Sequence, residues 1–194
     1  MSGLVQVPQD LHIHTVFSHM DHSVVPEQTV ALIAEVNHAK IIGISDHLEC
    51  IYPSRVDDYL DEIRKFGLHA GIEVNGGDWA GIATTIDVEY YIYHCFDNAA
   101  DYRGAAKLLA TGKPVIIAHP QFLGTDLEKV PEGCYIEINN RYVWQRDWKS
   151  GYYTNVKDKF NFVVGSDAHQ PNWLNQNLAR HVLTTLQLTE TVLF

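Results

Sequence analysis

Basic residues are scarce in this chain. Its 194 residues include 14 lysines and arginines against 24 aspartates and glutamates, which gives a formal net charge of −10. No stretch of the sequence gathers the basic residues together. Proteins that bind nucleic acid without sequence preference, or that dock on anionic lipid, carry a basic surface that attracts phosphate groups. The composition therefore argues against both kinds of partner.

Long hydrophobic runs are also lacking. No apolar segment approaches the roughly 20 residues that span a bilayer, and residues 1–9 lack the charged and apolar regions of a secretory signal. The cysteines are odd in number and widely separated (Cys50, Cys95 and Cys134), unlike a disulfide framework or a cysteine-based zinc module. We therefore expect a cytoplasmic protein without a membrane partner.

Repeats and linkers are absent from the sequence as well, so we expect one domain over residues 1–194. The sequence does not indicate the oligomeric state. Histidine, in contrast, is abundant and occurs 11 times. Because imidazole is the commonest metal ligand among side chains, this excess in an acidic chain suggests a metal site.

Short apolar runs alternate with segments of helical periodicity. Strands are predicted at residues 10–14, 41–45, 68–74, 89–94, 114–118, 135–139 and 162–166, with a weaker one near 81–86. Helices are predicted at 26–39, 54–66 and 98–111, with less regular ones at 141–159 and 174–186. Apolar strands that alternate with helices are typical of a parallel sheet, either open and doubly wound or closed into a barrel.

Histidine and carboxylate side chains stand at the ends of the predicted strands. His12 and His14 alternate along the first strand, so both leave the same face. The carboxyl ends of all strands meet on one face of a parallel barrel, where active sites lie. Burying so many polar groups without partners would be costly, and metal ions can pair them. Eight candidate ligands result: His12, His14, His47, Glu73, His94, His119, Asp167 and His169.

Eight ligands are too many for one tetrahedral ion, so we expect two or three divalent ions that share carboxylates. Zinc, manganese and iron all suit a site of histidines and carboxylates. A lone histidine more often has a structural role, which we assign to His38, His69 and His181.

Five segments resemble, in the expected order, the motifs of the PHP (polymerase and histidinol phosphatase) superfamily. They are DLHIHT at residues 10–15, ISDH at 44–47, GIEV at 71–74, IAHP at 117–120 and VGSDAH at 164–169. The resemblance implies an α/β fold of the PHP type, a distorted seven-stranded TIM-like (β/α) barrel with a trinuclear metal centre that usually hydrolyses phosphoesters.

The resemblance also implies how the ligands divide among the ions. One ion would take His12, His14, Glu73 and Asp167; a second would share Glu73 and add His94 and His119; a third would use His47, His169 and a residue from the loop after the first strand. The family's position in that loop falls at or near His19 and Met20. We predict His19 as this ligand and His22 as the second choice, with Asp21 the other side chain nearby that is able to coordinate.

This ligand set predicts a phosphoesterase in which a metal-activated water attacks a small phosphorylated substrate. Asp167 would orient or deprotonate the water, and Glu73 would bridge two ions. Arg141 follows a predicted strand end and is either a phosphate clamp or a solvated residue at a helix start; Arg180 is a weaker candidate for the clamp. The aromatic residues of segment 142–153 are expected to pack against the barrel or a dimer partner, with stacking on a base or ring as the alternative.

Three other functions stay open on the sequence alone. They are an amidohydrolase-type metal-dependent hydrolase, a non-catalytic metal-binding or regulatory PHP module, and a nucleic-acid exonuclease. The missing basic surface argues against the exonuclease.

Overall fold

Seven parallel strands alternate with helices in the computed structural model, which describes residues 6–194. Residues 1–5 of the predicted domain lie outside the described residues. The strands are β1 (Val7–Asp10), β2 (Ala39–Ile44), β3 (His69–Asn75), β4 (Tyr90–His94), β5 (Val115–Ile117), β6 (Tyr135–Asn139) and β7 (Asn161–Gly165). The helices are α1 (Val30–Val36), α2 (Leu48–Ile51), α3 (Val56–Lys65), α4 (Gly77–Ala83), α5 (Ala99–Leu109), α6 (Pro120–Leu123) and α7 (Asn177–Thr185). The α/β class predicted from the sequence is confirmed.

The strands pair in sequence order, and every ladder is parallel. The last strand returns to the first segment of the chain through a bridge between Ile13 and Ala168, just beyond the strand ends. The backbone N–H of His14 donates to the Ala168 carbonyl (2.9 Å), and that of Asp167 donates to the His12 carbonyl (2.8 Å). The sheet is therefore a nearly closed barrel, as expected for a TIM-like architecture.

Side chains at alternate strand positions fill the inside of the barrel. The largest is Tyr90, whose ring lies against Gly43 and Gly71 on the two preceding strands. A Cβ atom at Gly71 would lie 2.3 Å from this ring, and the Tyr90 hydroxyl donates to the Leu11 carbonyl at 2.7 Å. A larger apolar core lies between the strands and the helices. Tyr90 and the apolar side chains packed around it inside the barrel lie beneath the polar carboxyl ends of the strands.

The weak strand predicted at residues 81–86 is wrong, because α4 occupies residues 81–83 and a turn follows it. The helix packs on α5 with close backbone approach: a Cβ atom at Gly77 would lie 2.4 Å from the Ala100 carbonyl oxygen. A Cβ atom at Gly104 would lie 2.9 Å from the Gly77 Cα atom. Tertiary packing thus decides the structure of a segment whose local pattern favoured a strand.

The irregular helix predicted at residues 141–159 does not form, and the segment holds two short 3-10 helices, Val143–Gln145 and Thr154–Val156. The Asn139 side-chain oxygen accepts from the backbone N–H groups of Arg141 (2.9 Å) and Tyr142 (3.0 Å), which favours a turn. Gly151 has a φ of 92°, outside the helical region. A third 3-10 helix, Pro171–Trp173, precedes α7. No helix within residues 6–194 is long and apolar enough to cross a membrane.

Candidate metal centre

Six histidines and three carboxylates converge at the carboxyl ends of the strands. All of them except His12 line a cavity of about 290 Å³, which also carries aromatic side chains on its rim. The structure brings together all eight side chains that the strand ends predict: His12, His14, His47, Glu73, His94, His119, Asp167 and His169. Parallel pairing of the strands is what joins residues so far apart in the sequence.

His12 and His14 lie just beyond β1, which ends earlier than the predicted strand at residues 10–14. The chain stays paired there, because the Ser45 N–H donates to the Ile13 carbonyl (2.9 Å) while His14 pairs with Ala168. Ile13 is buried in the outer core, and its two histidine neighbours both belong to one group of ligand atoms with Asp167. Their Nε2 atoms are 3.2 Å apart.

Glu73 lies at the middle of the cluster and is 1% exposed. One carboxylate oxygen is 3.0 Å from His12 Nε2 and 2.7 Å from His94 Nε2. The other is 2.9 Å from His47 Nδ1 and 3.4 Å from His14 Nε2. Neither oxygen has a partner in hydrogen-bond geometry. The carboxylate therefore faces ring nitrogens on two sides without bonding to them, as a carboxylate does when both groups are directed at cations between them.

His94 and His119 meet on the far side of Glu73, with their Nε2 atoms 3.1 Å apart. His119 Nε2 also lies 3.8 Å from an Asp167 oxygen. Both His119 (φ 28°) and Asp167 (φ 56°) have left-handed backbone conformations, which cost non-glycine residues about 1–2 kcal/mol. Such strain persists where the surrounding structure enforces it, most often at functional sites.

Asp21, not His19, occupies the loop position beside His47 and His169. Its carboxylate lies 2.8 Å from His169 Nε2 and 3.5 Å from His47 Nε2. His19 is exposed and turns away from the cluster, with its Nδ1 atom 3.0 Å from the Arg55 guanidinium. His22 is exposed as well. The structure thus corrects the prediction of His19 as the loop ligand, with His22 as second choice.

The loop is held in this conformation by Asp46, which is fully buried. Its carboxylate accepts from the backbone N–H and hydroxyl of Thr15 (2.7 and 2.6 Å) and from the same two groups of Ser18 (3.1 and 2.6 Å). The Ser18 hydroxyl oxygen also accepts from the backbone N–H of His47 at 3.0 Å. These bonds fix the turn that directs Asp21 inward, so Asp46 orders the loop rather than contacting the cavity.

Glu137 is a site residue that the sequence analysis missed. It is fully buried, and one carboxylate oxygen accepts from His12 Nδ1 at 2.8 Å. The other accepts from the His119 backbone N–H (2.7 Å) and the Asn139 side-chain amide (2.9 Å). A signal was present: Glu137 and Asn139 are two residues apart in an otherwise apolar strand, so they share its inward face.

Burial and charge have opposing effects on the pKa values of the cluster. Burial disfavours the charged form of every histidine, but the carboxylates of Glu137, Asp167 and Glu73 together raise the pKa of His12 well above its usual value. Against the same effect of burial, Glu73 and Asp21 raise the pKa of His47 to about 11.

Other members of the cluster shift the opposite way. Burial, with added repulsion from His169, lowers the pKa of His14. Burial and then His94 lower the pKa of His119. Burial would raise the pKa of Glu73, but the surrounding imidazoles lower it well below its usual value. Within one cluster, His12 and His47 thus hold a proton more tightly than usual, whereas His14 and His119 lose it more readily.

The donor set fits divalent metal ions. Three groups of ligand atoms each lie within 4.8 Å of one another: His14, His47 and His169; His12, Glu73 and His119; and His12, His14 and Asp167. Two nitrogens bound to one tetrahedral zinc at about 2.05 Å would be about 3.3 Å apart. The observed Nε2 separations of 3.2 Å and 3.1 Å agree with this spacing. Glu73, with its unbonded oxygens, is suited to bridging two ions.

Arg141 lies at the edge of the cavity, as the clamp prediction requires. One guanidinium nitrogen is 3.4 Å from an Asp167 oxygen and 3.0 Å from His169 Nε2, and the other donates to the Ser23 hydroxyl (3.1 Å). Arg180 is elsewhere: it pairs with Glu190 at 2.9 Å and lies on α7. The weaker clamp candidate is therefore not part of the site.

The histidines assigned structural roles lie apart from this cluster. His38 bonds to Asp10 (2.9 Å), His69 to Glu89 (2.7 Å), and His181 packs on Trp148.

Comparison with protein-family models and with curated proteins gives no match for this chain.

Proposed function

We propose that this protein is a metal-dependent phosphoesterase of the PHP type that hydrolyses a small phosphorylated substrate. The observation that carries the proposal is the convergence of three overlapping ligand groups around one buried carboxylate, Glu73, with a guanidinium at the edge of the same cavity. Two or three ions of zinc, manganese or iron would be held by His12, His14, Asp21, His47, Glu73, His94, His119, Asp167 and His169.

Charge supports an anionic substrate. Asp21, Glu73 and Asp167 carry about three negative charges on the cavity wall, and two or three divalent ions would exceed this charge. Bound ions would supply positive charge that attracts phosphate oxygens and makes water easier to deprotonate. Attraction would then be local, which reconciles a phosphate substrate with a protein whose net charge is −10.

The chain's own groups have defined tasks in this proposal. Hydrolysis adds a water oxygen to phosphorus, breaks the ester P–O bond and releases the alcohol with a proton. Asp167 is 2% exposed and would orient the water, accept its proton and pass a proton to the departing alcohol oxygen, while its Oδ2 is held by the Asn139 amide (3.1 Å). Arg141 would bind a phosphate oxygen, because its guanidinium offers several donors in a fixed plane.

Aromatic rings hold that guanidinium in place. Its central carbon lies 5.0 Å from the ring centre of Tyr142 and 5.2 Å from that of Trp173. Cation–π contacts of this length stabilise an arginine at a partly exposed site by about 0.5–1 kcal/mol. Arg141 would therefore meet the phosphate with little loss of conformational freedom.

The test is hydrolysis of p-nitrophenyl phosphate and bis-p-nitrophenyl phosphate by protein loaded with Mn²⁺ or Zn²⁺. Activity is expected with at least one ester, and His12→Ala or Glu73→Ala should reduce it to background. His69→Ala is the matched control, since it removes a histidine paired with a carboxylate outside the cavity. Turnover confined to amides or lactones would favour an amidohydrolase, and bound metal without any turnover would favour a regulatory module.

A further inference from the structure

A second cavity of about 350 Å³ adjoins the metal centre. Its walls include Arg141, Trp144, Gln145, Trp173 and Asn175, and we refer to it as the ring subsite. Arg141 lines both cavities. The ring subsite also contacts Ser166, the residue immediately before Asp167. A molecule whose phosphate lies at the metal centre can therefore extend into the ring subsite past the Arg141 side chain.

Trp144 is the most exposed large hydrophobic residue among residues 6–194, at 64%. Its indole N–H donates to the Arg141 carbonyl at 2.8 Å, so its one polar group is already bonded within the chain. The indole is thus held to the backbone beside the clamp arginine while most of its surface contacts solvent. Because Trp144 also lines the ring subsite, its exposed ring face is available to stack on a ligand there.

Three other aromatic residues of the same segment are not available for binding. Tyr153 is 2% exposed, and Trp148 and Tyr152 pack against the main core. The expectation that this segment packs against the barrel is therefore met by these three residues, and Trp144 differs from them. Asn140, also in the wall, is occupied as well, because its side-chain oxygen accepts from two backbone N–H groups at the start of α7 (2.9 and 3.1 Å).

We infer that the ring subsite binds a planar ring carried by the alcohol part of the substrate, stacked on Trp144, while the phosphate contacts Arg141. The inference rests on the proposed phosphoesterase function and narrows its substrate to an aryl or nucleoside phosphate. The cavity volume is at the lower end of the range for small-molecule sites, about 300–1,000 Å³, and suits one ring system. The exposed amide of Gln145 provides a polar group at the edge of the ring.

The experiment compares Trp144→Ala and Trp144→Phe with the native protein on three esters: adenosine monophosphate, phenyl phosphate and glycerol phosphate. Stacking of a base on an aromatic side chain is worth about a fivefold to hundredfold change in affinity. We expect Trp144→Ala to raise KM for at least one ring-bearing ester about tenfold, with kcat changed less than about twofold and glycerol phosphate unaffected. Trp144→Phe should restore most of the loss. Phe194→Ala is the control, because it removes another exposed aromatic ring (41%) that packs on His69 at the opposite end of β3.

The two ring-bearing esters distinguish a nucleobase from a simple aryl group. Equal effects of Trp144→Ala on all three esters, or no effect on any, would overturn the ring subsite while the hydrolysis itself upholds the proposed function. If no ester is hydrolysed, the proposed function fails, and calorimetric titration of the metal-loaded protein with adenosine monophosphate and glycerol phosphate still tests the subsite. Tighter binding of the nucleotide that Trp144→Ala abolishes would uphold it, and equal binding would overturn it.

Discussion

Replacing Glu137 by glutamine would test whether the buried carboxylate behind His12 prepares that histidine for metal binding. The carboxylate accepts three hydrogen bonds, from His12 Nδ1 and from the N–H donors of His119 and Asn139. A glutamine of the same shape has one oxygen and one NH2 group, so it cannot accept on both sides. Space for reorientation is small, because a Cβ atom at Gly165 would lie only 2.1 Å from the carboxylate.

Either orientation of the glutamine has a cost. If its NH2 group faces His12, Nδ1 must become the acceptor, and the ring proton moves to Nε2, the atom that faces Glu73 at 3.0 Å. If the NH2 group faces His119 and Asn139, two N–H donors oppose it, which costs about 1–3 kcal/mol. Loss of such a partner to a ligating histidine typically lowers metal affinity about tenfold to hundredfold. We expect a loss of this size for Glu137→Gln.

The assay is a metal titration against a competing chelator, with unfolding measured in parallel on metal-free protein. Glu89→Gln is the matched control, because Glu89 also accepts from a histidine ring (2.7 Å) and a backbone N–H (2.9 Å) but is 45% exposed and outside the centre. The control should keep native metal affinity. A Glu137→Gln protein that binds metal within twofold of the native protein would refute the reasoning.

Three further predictions concern the same centre. Asp21→Ala should lower the metal content by about one ion per chain in elemental analysis, whereas His19→Ala should leave it unchanged, because Asp21 lies beside His47 and His169 while His19 contacts Arg55 instead. Metal-free protein should lose stability as the pH rises from 6.5 toward 11, since the folded state keeps a proton on His47 that the unfolded chain has released. Asp46→Asn should lower the free energy of unfolding by about 1–3 kcal/mol, because two of the four donors to its carboxylate lose a charged acceptor.

Each of these predictions has its own control and its own contrary outcome. Equal metal content in the two loop variants would contradict the assignment of Asp21. For the pH series, the metal-loaded protein is the reference: its thermal midpoint should hold as the pH rises above 6.5, and a parallel decline in both forms would contradict the argument. Asp158→Asn, at an exposed carboxylate, should leave stability unchanged, and an equally stable Asp46→Asn protein would contradict the role of Asp46.

The barrel strands could be predicted because each is a short apolar run ended by a polar residue. β2 to β7 begin and end within two residues of the predicted limits. The first strand could not be placed as well, because β1 stops at Asp10 while the extended pairing resumes at Ile13. The helix α4 could not be predicted from the local sequence pattern, because the close contact between Gly77 on α4 and Gly104 on α5 determines it.

The ligands on strands could be predicted for the same reason, whereas those that depend on loop geometry could not. Alternation puts Glu73 on the same face of β3 as Gly71, which lies against Tyr90 inside the barrel, so its position follows from register alone. In the loop after β1, the four hydrogen bonds of Asp46 determine which side chain turns inward, and spacing did not distinguish Asp21 from His19. Glu137 was missed because it lies two residues before the end of β6, where its carboxylate contacts the ligand His12 and not the cavity.

The place where the barrel closes has a consequence for the whole molecule. The segments just beyond the first and last strands meet at the bridge of Ile13 and Ala168, and the flanking residues His12 and Asp167 belong to one ligand group. A cation there would act as a crosslink between the two terminal segments, and closing so long a loop restricts the unfolded chain. We therefore expect removal of the metal by a chelator to separate these two segments first. Amide exchange would become faster at His14 and Asp167 before it does in the helices on the far side of the barrel.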